Sequence, residues 1–470
     1  MEFVFSVLAG ICVALLFSLA IFIHELGHFL AARLLGLQVD AFSIGFGPAL
    51  FRRTVDGVEY KVGCVPFGGY VALPQLAPSG MEKVQGETCG AGERELPDIA
   101  AWKRIVVACA GPFGNVVLAV VLAYVIFWTP GVRTGFVETR VGAVAEESEA
   151  WQAGLRPGDR IVSVNGVKVG TWTDLQVENQ LAGESGAAVF GVQRGLSHHE
   201  LTLSFDTNNI LGLRVLAGVL PQEACEVGAV IPGSSAEEQG LRGGDMIVAV
   251  DGLPVTGPYH FSSLITKYGA SPATLRIKRG AAYLSMTLTP RYDETEKRHL
   301  VGIRWKDAPG HVKAWMMYRE PWQQLKWDSM SVVRVLKALV APTSKGERKS
   351  VAKNVGGPVA IIMGLYDTVR GDFMDGIGFL RMICVNLAIL NLLPLPVLDG
   401  GHIMFALYEM VTRRKPHPKV VAVLVNVCAV LLIGLMALLV YGDIVKRVRL
   451  NKAIRSMEQP AVEEPAAAQP

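Results

Sequence analysis

His24, Glu25 and His28 form the pattern HExxH within the stretch IFIHELGHFL, residues 21–30. On an α-helix, positions i and i+4 differ by about 40° in angle and about 6 Å in rise, so both imidazoles point to one place. Two such histidines can hold one zinc ion. Glu25 lies about 100° round the helix from His24, where its carboxylate can take a proton from water and pass it to a leaving amine. The motif therefore predicts zinc-dependent hydrolysis with Glu25 as general base.

Two histidines do not complete such a centre, because a catalytic zinc site needs a third protein ligand and an open position. The strongest candidate is Asp399 in NLLPLPVLDGGHIMF, residues 391–405, where it follows an apolar segment and precedes two glycines. By position alone, Asp399 fits a helix cap or an interfacial turn as well as it fits a ligand. His402 is interpreted as local structure rather than as a ligand.

The HExxH motif stands at the end of an uncharged run of 21 residues, Phe3 to Ile23. Only 19% of the chain is charged and 51% is hydrophobic. No basic residue precedes the run, so a retained helix is favoured over a cleaved signal peptide. Ionisable groups near a membrane span are costly unless they are paired or metal-bound, which strengthens the metal interpretation. Three further runs approach the ~20 residues that cross a bilayer: 105–128, 382–398 and 420–442.

Two blocks between the second and third apolar runs repeat at a fixed offset. GLRPGDRIVSVNG (154–166) matches GLRGGDMIVAVDG (240–252) at 9 of 13 positions, 86 residues apart. Each block combines a Gly-Asp turn, an alternating strand and an Asn-Gly or Asp-Gly turn, so each copy is predicted to be β-rich. The pattern GLxxGDxIxxVxG resembles PDZ domains of bacterial proteases, which bind peptides by adding a strand to a sheet edge. The alternative is that one or both copies are steric spacers.

The predicted fold is a polytopic α-helical membrane protein with four transmembrane helices, a β segment and two tandem β-rich domains that resemble PDZ domains. The family resemblance given below implies that the β segment is membrane-associated. Residues 311–340 have the composition of an interfacial helix, although a helix packed on the repeats fits the same pattern. The predicted segments are helix 1 with HExxH (1–36), the β segment (37–74), a cytoplasmic loop (75–101), helix 2 (102–129), the two repeats (130–215 and 216–292), a post-repeat region with the interfacial helix (293–374), helix 3 with NxxPxPxLDG (375–412), helix 4 (418–445), and a basic stretch and disordered tail (446–470).

Basic residues near the ends of the spans predict the orientation in the membrane, since cytoplasmic loops carry an excess of Lys and Arg. Such residues lie between spans one and two and between spans three and four, which places both loops in the cytoplasm and the repeats outside. A basic stretch after span four, residues 446–455, disagrees with this orientation. The net charge of +3 indicates no nucleic-acid partner, and the seven cysteines form no CxxC pair. The cysteines are interpreted as small buried residues.

HExxH in the first span, together with NxxPxPxLDG at 391–400, resembles the site-2 protease family of intramembrane zinc metalloproteases. Residues 391–400 match that second motif in full, and the combination of the two is highly specific. AGPFGN (110–115) resembles the family's GxxxN element. FSIGFGPALF and VPFGGYV resemble its membrane-associated β segment. The resemblance covers nearly the whole chain.

The resemblance implies a full set of zinc ligands, with Glu25 as the general base: His24, His28 and Asp399. It implies residues that receive the substrate or support the site: Asn391, Pro394, Pro396 and Asn115. Expected substrates are single transmembrane helices already shortened outside the membrane, typically an anti-sigma factor, or remnant signal peptides. The PDZ pair would exclude uncut substrates and is a candidate site for peptide ligands. The expected location is the bacterial cytoplasmic membrane, with the repeats in the periplasm and the active site towards the cytoplasm.

Two other hypotheses are open at this stage. A membrane-anchored PDZ adaptor would bind envelope peptides without catalysis, and the intact HExxH with Asp399 argues against it. A zinc enzyme with its site outside the bilayer would place His24 at a periplasmic helix end.

Overall fold

A computed structural model of the chain describes residues 2–76, 97, 99–182, 186–207, 213–294, 296–306, 312–342 and 346–458. Most of the predicted cytoplasmic loop and the tail from residue 459 lie outside these described residues. The chain forms two compact units. The helical unit comprises described residues within 1–132, 318–334 and 356–470, and the repeat unit those within 133–317 and 335–355.

The elements before the repeats are a long helix, a strand pair and a second long helix: α1 (Glu2–Leu34), β1 (Ala41–Val55), β2 (Val58–Ala72) and α2 (Ala101–Trp128). The first repeat contains β3 (Val141–Val144), α3 (Glu149–Gln152), β4 (Arg160–Val164), β5 (Val167–Lys168), α4 (Trp172–Leu181), β6 (Ala187–Arg194), β7 (Ser197–Ser204) and β8 (Val219–Pro221). The second contains β9 (Val227–Val230), α5 (Ser235–Glu238), β10 (Met246–Val250), β11 (Leu253–Pro254), α6 (Pro258–Tyr268), β12 (Ala273–Arg279), β13 (Ala282–Leu288), β14 (Arg291–Asp293), β15 (Arg298–Leu300) and β16 (Ile303–Trp305). The remaining helices are α7 (Pro321–Val340), α8 (Glu347–Asn354), α9 (Pro358–Gly371), α10 (Phe373–Asn391), α11 (Asp399–Thr412) and α12 (Pro418–Glu458).

Four helices in the described part of the chain are long and apolar enough to cross a membrane: Phe3–Leu34, Ala101–Trp128, Phe373–Asn391 and Pro418–Asn451. The protein is therefore a helical membrane protein with a β-rich region. The third predicted span, 375–412, consists of two helices, because α10 ends at Asn391 and α11 begins at Asp399. Pro394 and Pro396 in the intervening segment cannot continue the hydrogen bonding of a helix. The predicted basic stretch up to residue 458 is a continuation of α12.

The strands β1 and β2 fold back on each other to form a small sheet. The first part of β1 pairs on one side with residues 59–62 and on the other with residues 69–72. Gly45 and Gly47 adopt positive φ angles, which residues with a Cβ rarely do, and so permit the bend in β1. One face of this sheet packs its aromatic residues against α1, in a cluster that includes Phe42, Tyr60 and Phe29.

The two repeats share one order of elements and one set of local contacts. Each forms a four-stranded sheet, β5-β4-β6-β7 in the first and β11-β10-β12-β13 in the second. The aspartate of each Gly-Asp turn is buried and pairs with an arginine on a neighbouring strand, Arg194 for Asp159 and Arg279 for Asp245. These pairs explain why the repeated sequence keeps its aspartate.

The predicted boundary between the repeats at 215/216 is wrong, because β8 (Val219–Pro221) pairs with β3 of the first repeat. The predicted end at 292 is also too early, since β16 (Ile303–Trp305) pairs with β9. Each repeat is closed by a short strand that returns to the strand with which the repeat began. Short strands of three residues carry little periodicity, so sequence patterns do not reveal them.

Candidate metal centre and peptidase site

Glycines set the close approach of α1 and α2. A Cβ atom at Gly27 would collide with the carbonyl of Ala110, and one at Gly114 would lie 2.6 Å from the carbonyl oxygen of Ile23. A Cβ at Gly111 would collide with the imidazole of His28. Small residues allow helices in a membrane to pack backbone against backbone. The α2 helix thus forms one wall of the HExxH motif.

His24, His28 and Asp399 converge, although Asp399 is some 370 residues from the motif. One ligand-type atom from each lies within 4.8 Å of those from the others. The Nε2 atoms of the two histidines are 3.2 Å apart. Asp399 Oδ2 is 3.3 Å from His24 Nε2, and Oδ1 is 3.3 Å from His28 Nε2. The structure therefore brings the three predicted ligands together.

This geometry fits a zinc ion. Zinc–ligand bonds of about 2.0–2.1 Å place neighbouring ligands of a tetrahedron about 3.3 Å apart, close to the separations of these three donors. If both histidines carry their proton on Nδ1, two Nε2 lone pairs face each other at 3.2 Å, an arrangement that a cation between them would stabilise. Asp399 Oδ2 is buried without a hydrogen-bond partner among the described residues. The donor set of two imidazoles and one carboxylate is of the kind zinc enzymes use.

The outer ring nitrogens of the histidines are held by α2. His28 Nδ1 lies 2.8 Å from the carbonyl oxygen of Val107, so Nδ1 carries the proton and Nε2 presents its lone pair to the centre. His24 Nδ1 lies 3.3 Å from the side-chain amide of Asn115. Asn115 is fully buried and its Oδ1 is unpaired among the described residues. Turning the amide would let Oδ1 accept from His24 Nδ1–H, which satisfies both groups and leaves His24 Nε2 free to ligate.

The break between α10 and α11 delivers Asp399. Gly400 and Gly401 lie so close to the carbonyls of Leu393 and Leu395 that a Cβ on either would collide with them. Asp399 is the first residue of α11, and its side chain is directed to the histidines rather than to a capping contact. The side-chain amide of Asn391, at the end of α10, is 3.4 Å from His24 Nε2. Pro394 and Pro396 lie in the break, where they keep the chain out of a helix.

A cavity of about 280 Å³ joins the site to the sheet. Its lining includes Glu25, Asp399 and His402, together with Gly69, Tyr70 and Val71 of β2. The segment 69–72 pairs with β1 on one side only, and in the described part of the chain no strand pairs with its other edge. No role for the individual β2 residues at this edge was predicted from the sequence. The stretch VPFGGYV was identified there as part of the β segment. The cavity thus combines a carboxylate, a three-donor cluster and an open strand edge.

The α11 helix is tied to α2 by an ion pair near the site. Arg104 Nη2 lies 2.7 Å from Glu409 Oε2, and both side chains are largely buried. Arg104 is one of the basic residues between spans one and two that predict the orientation in the membrane. No spacing rule connects two residues 305 positions apart, so the pair is visible only in the structure.

A helical membrane unit that carries HExxH and a distant aspartate at one cavity has the features of an intramembrane peptidase. The sequence model of peptidase family M50 matches residues 12–435. The chain is 31% identical over 458 residues to the regulator of sigma-E protease RseP of Escherichia coli K12, covering 93% of this chain and 98% of that protein. It is 29% identical over 449 residues to a Xylella fastidiosa protein provisionally named a zinc metalloprotease, covering 91% and 96%. A Vibrio cholerae protein with the same provisional name is 28% identical over 438 residues, covering 90% and 95%.

The chain belongs to peptidase family M50. The predicted resemblance to site-2 proteases of the sigma-E regulator kind, and the prediction of a peptidase, are confirmed by these matches.

Proposed function

We propose that the protein is an intramembrane zinc endopeptidase whose metal ligands are His24, His28 and Asp399. The observation that carries the proposal is the mutual approach of three donors at 3.2–3.3 Å within a membrane-embedded unit. Relatives provisionally named as zinc metalloproteases support the choice of metal. When bound, zinc supplies Lewis-acid polarisation of the scissile carbonyl and activation of water.

We assign the role of general base and acid to Glu25. Its carboxylate lines the same cavity as the three donors and is not needed to complete the ligand set. It would accept a proton from the attacking water and deliver that proton to the nitrogen of the leaving amine. Val71 of β2 lines the same cavity as this carboxylate.

The substrate we propose is a single transmembrane helix that unwinds to be cut. A peptide bond in a helix is hydrogen-bonded and shielded, so the backbone around it must be freed and satisfied again within the protein. The open edge of residues 69–72 can supply those hydrogen bonds by strand addition. Asn391 would bind the substrate backbone near His24, and Asn115 would keep His24 oriented. As substrates we propose an anti-sigma factor shortened by a first cut, and remnant signal peptides. The Escherichia coli relative is named a regulator of sigma-E protease, which is in keeping with the first of these.

We further propose that the repeats are PDZ domains and that the second one binds peptides. The second repeat has a cavity of about 650 Å³ between α6 and residues 298–305, with Phe261 and Trp305 in its lining. The β16 strand pairs with β9 on one side, and no strand of the described chain pairs with its other edge. In the first repeat, α4 packs against α8 through Leu181 and Val351. The second repeat would take peptide ends, while the first would act as a spacer in a filter against uncut substrates.

The proposed location is the bacterial cytoplasmic membrane, with the repeats in the periplasm and the metal centre towards the cytoplasm. Basic residues between spans one and two support this orientation. The orientation is measured by placing single cysteines at positions 26 and 103 and testing their labelling in sealed cells. Labelling of both positions from the outside would overturn the orientation.

The test of the catalytic proposal compares wild type with Glu25→Gln in purified full-length protein. We expect about one zinc per chain in both, cleavage of a tethered single-span substrate by wild type, and a loss of more than about 10³-fold in the variant. Equal cleavage by both would refute the assignment of Glu25. Peptide binding without zinc or cleavage in wild type would favour the adaptor hypothesis instead.

A further inference from the structure

A buried polar network lies in the helical unit outside the candidate active site. Arg381, in the middle of the apolar helix α10, is 1% exposed and Asp328 of α7 is fully buried. The guanidinium makes two bonds to the carboxylate, Nε to Oδ2 at 2.7 Å and Nη2 to Oδ1 at 3.2 Å. Arg381 Nη1 also donates to the side-chain oxygen of Gln324. An arginine and an aspartate are thus held as a bidentate pair inside a membrane-spanning bundle.

The network continues to the end of α2. Gln324 Nε2 donates to the carbonyl oxygen of Arg319 at 2.7 Å. The Arg319 guanidinium in turn donates to the carbonyl oxygens of Phe127 at 2.6 Å and Thr129 at 2.8 Å. These carbonyls belong to the last turn of α2 and the residue after it, where backbone acceptors lack partners within the helix. Three elements, α10, α7 and α2, are therefore connected by side chains rather than by apolar packing alone.

Such a network is a poor way to gain stability. Ionisable groups in a span are costly, and a buried ion pair is often no better than an apolar pair of similar volume. What a bidentate pair provides is geometry, because two parallel hydrogen bonds fix both the rotation and the axial position of the helices that carry them. The retention of a buried charge pair here is explained if a defined position of α10 is needed.

That position matters at the far end of α10. Asn391 is ten residues beyond Arg381, about 15 Å along the helix axis. Its amide lies 3.4 Å from His24 Nε2, and the chain then turns to present Asp399 to the histidines. The α1 and α2 helices are already fixed to each other by Gly27 and Gly111. A shift of α10 against α2 would therefore move Asn391 and Asp399 relative to a stationary pair of histidines.

We propose that Asp328, Gln324 and Arg381 form a positioning clamp that sets α10, and through it Asn391 and Asp399, against His24 and His28. These three residues are positioning residues, since none of them lines the active-site cavity. The inference rests on the proposed function of that same site. The Arg104–Glu409 pair fixes α11 to α2 on the other side of Asp399, so the clamp and this pair hold both flanks of the break.

The experiment uses full-length protein and the double variant Asp328→Leu/Arg381→Leu, which replaces the pair by apolar side chains. The matched control is Asp367→Leu/Arg447→Leu, which removes an exposed ion pair of the helical unit with its atoms 3.6 Å apart. Three quantities are measured: kcat and KM on a tethered single-span substrate, zinc retained against a chelator, and hydrogen exchange of backbone amides 390–399 in metal-free protein. The last readout does not depend on catalysis.

For the clamp variant we expect kcat to fall at least tenfold with KM within about threefold of wild type, weaker zinc retention, and faster exchange at 390–399. The control should match wild type in all three. Wild-type kcat, or wild-type exchange at 390–399, in the folded clamp variant would overturn the proposal. If the double variant does not fold, Asp328→Asn and Asp328→Glu take its place. The first should lower kcat and the second should restore most of it, whereas equal, unchanged kcat values in both would overturn the clamp.

Failure of the clamp is distinguishable from failure of the proposed function. If wild type binds no zinc and cuts nothing, the proposed function is wrong. The clamp is tested separately, because unchanged hydrogen exchange at 390–399 in the clamp variant would refute it whether or not the protein is a peptidase.

Discussion

Asp399 of the helical unit and the two buried aspartates of the repeat unit are held in opposite ways. In the repeats, Asp159 and Asp245 each receive a bidentate arginine and a backbone N–H at 2.8 Å. In the helical unit, Asp399 faces two imidazoles that also face each other, and one of its oxygens is unpaired among the described residues. Satisfied groups stabilise a fold, whereas converging groups that do not satisfy one another need a further partner. The contrast separates carboxylates satisfied within the fold from a carboxylate that needs a further partner, without reference to sequence motifs.

The strongest test of this contrast removes Asp399. Asp399→Ala should abolish zinc binding and lower cleavage by more than about 10³-fold, because two histidines alone do not form a catalytic zinc site. Metal content by mass spectrometry and cleavage of a single-span substrate measure the effect. Chelation of wild type should reproduce the loss, and added zinc should restore wild type but not the variant. Full zinc occupancy in Asp399→Ala would show that Asp399 is not a required zinc ligand.

A second test uses the wall of the centre rather than a ligand. Gly111→Ala places a methyl group against the imidazole of His28, so it should displace that ring and lower cleavage by about 10²-fold or more. Gly10→Ala is the matched control, since a Cβ there meets nothing within 4 Å. Equal activity of both variants would show that α2 does not fix the position of His28.

A third test concerns the hydrogen bond that orients His24. Asn115→Ala removes the only amide that approaches His24 Nδ1 in the described chain, so zinc affinity or activity should fall by about 10–100-fold. Asn115→Asp, which can accept from Nδ1–H, should retain more of the affinity than the alanine variant. The opposite ranking would contradict the orientation inferred for the Asn115 amide.

In the repeats, by contrast, a buried carboxylate should matter for stability alone. Asp159→Asn should lower the free energy of local unfolding of β4 and β6 by about 1–3 kcal/mol, because Arg194 and the Arg156 N–H lose a charged acceptor. Zinc content should not change. Hydrogen exchange on full-length protein measures the effect, with Glu238→Gln in an exposed pair as a control expected to stay within about 0.5 kcal/mol. Loss of zinc in Asp159→Asn would contradict the prediction that this carboxylate affects stability alone.

The smallest expected effect is a pH dependence of the second repeat. The hydrogen-bonded guanidinium of Arg279 holds the pKa of Asp245 below its ordinary value. Folding then favours the ionised form, so its contribution is present above the unfolded pKa of about 3.9 and is lost as the pH falls through the folded pKa. Exchange of β10 and β12 amides should therefore accelerate as the pH falls below about 4, beyond the intrinsic trend. Asp245→Asn should lack this added acceleration, and its persistence would assign the effect to another group.

The elements that the sequence predicted well are those whose signal is local. The apolar runs predicted four long helices near their observed places, and the repeated Gly-Asp turns predicted two copies of one unit. Boundaries were less accurate, since the short closing strands at 219–221 and 303–305 have no periodicity and are defined only by their partners. The third span was predicted as one helix over 375–412, and the separate helix from Asp399 to Thr412 is seen only in the structure. Pro394 and Pro396 are the local signal of the break.

The sequence by itself determined which reactive groups are present. They are two histidines one helical turn apart with a glutamate between them, and an LDG motif, and membrane spans carry both motifs. These features follow from fixed helical geometry and from the cost of charge in lipid, which act over a few residues. Only the tertiary structure decided which groups meet. Asp399 reaches His24 and His28, Asn115 reaches the back of His24, and Arg381 meets Asp328. Each contact depends on the packing of the helices that carry these residues, and glycines allow the close approach of α1 and α2. Contacts between residues tens to hundreds of positions apart depend on how whole helices pack, and no local pattern encodes that.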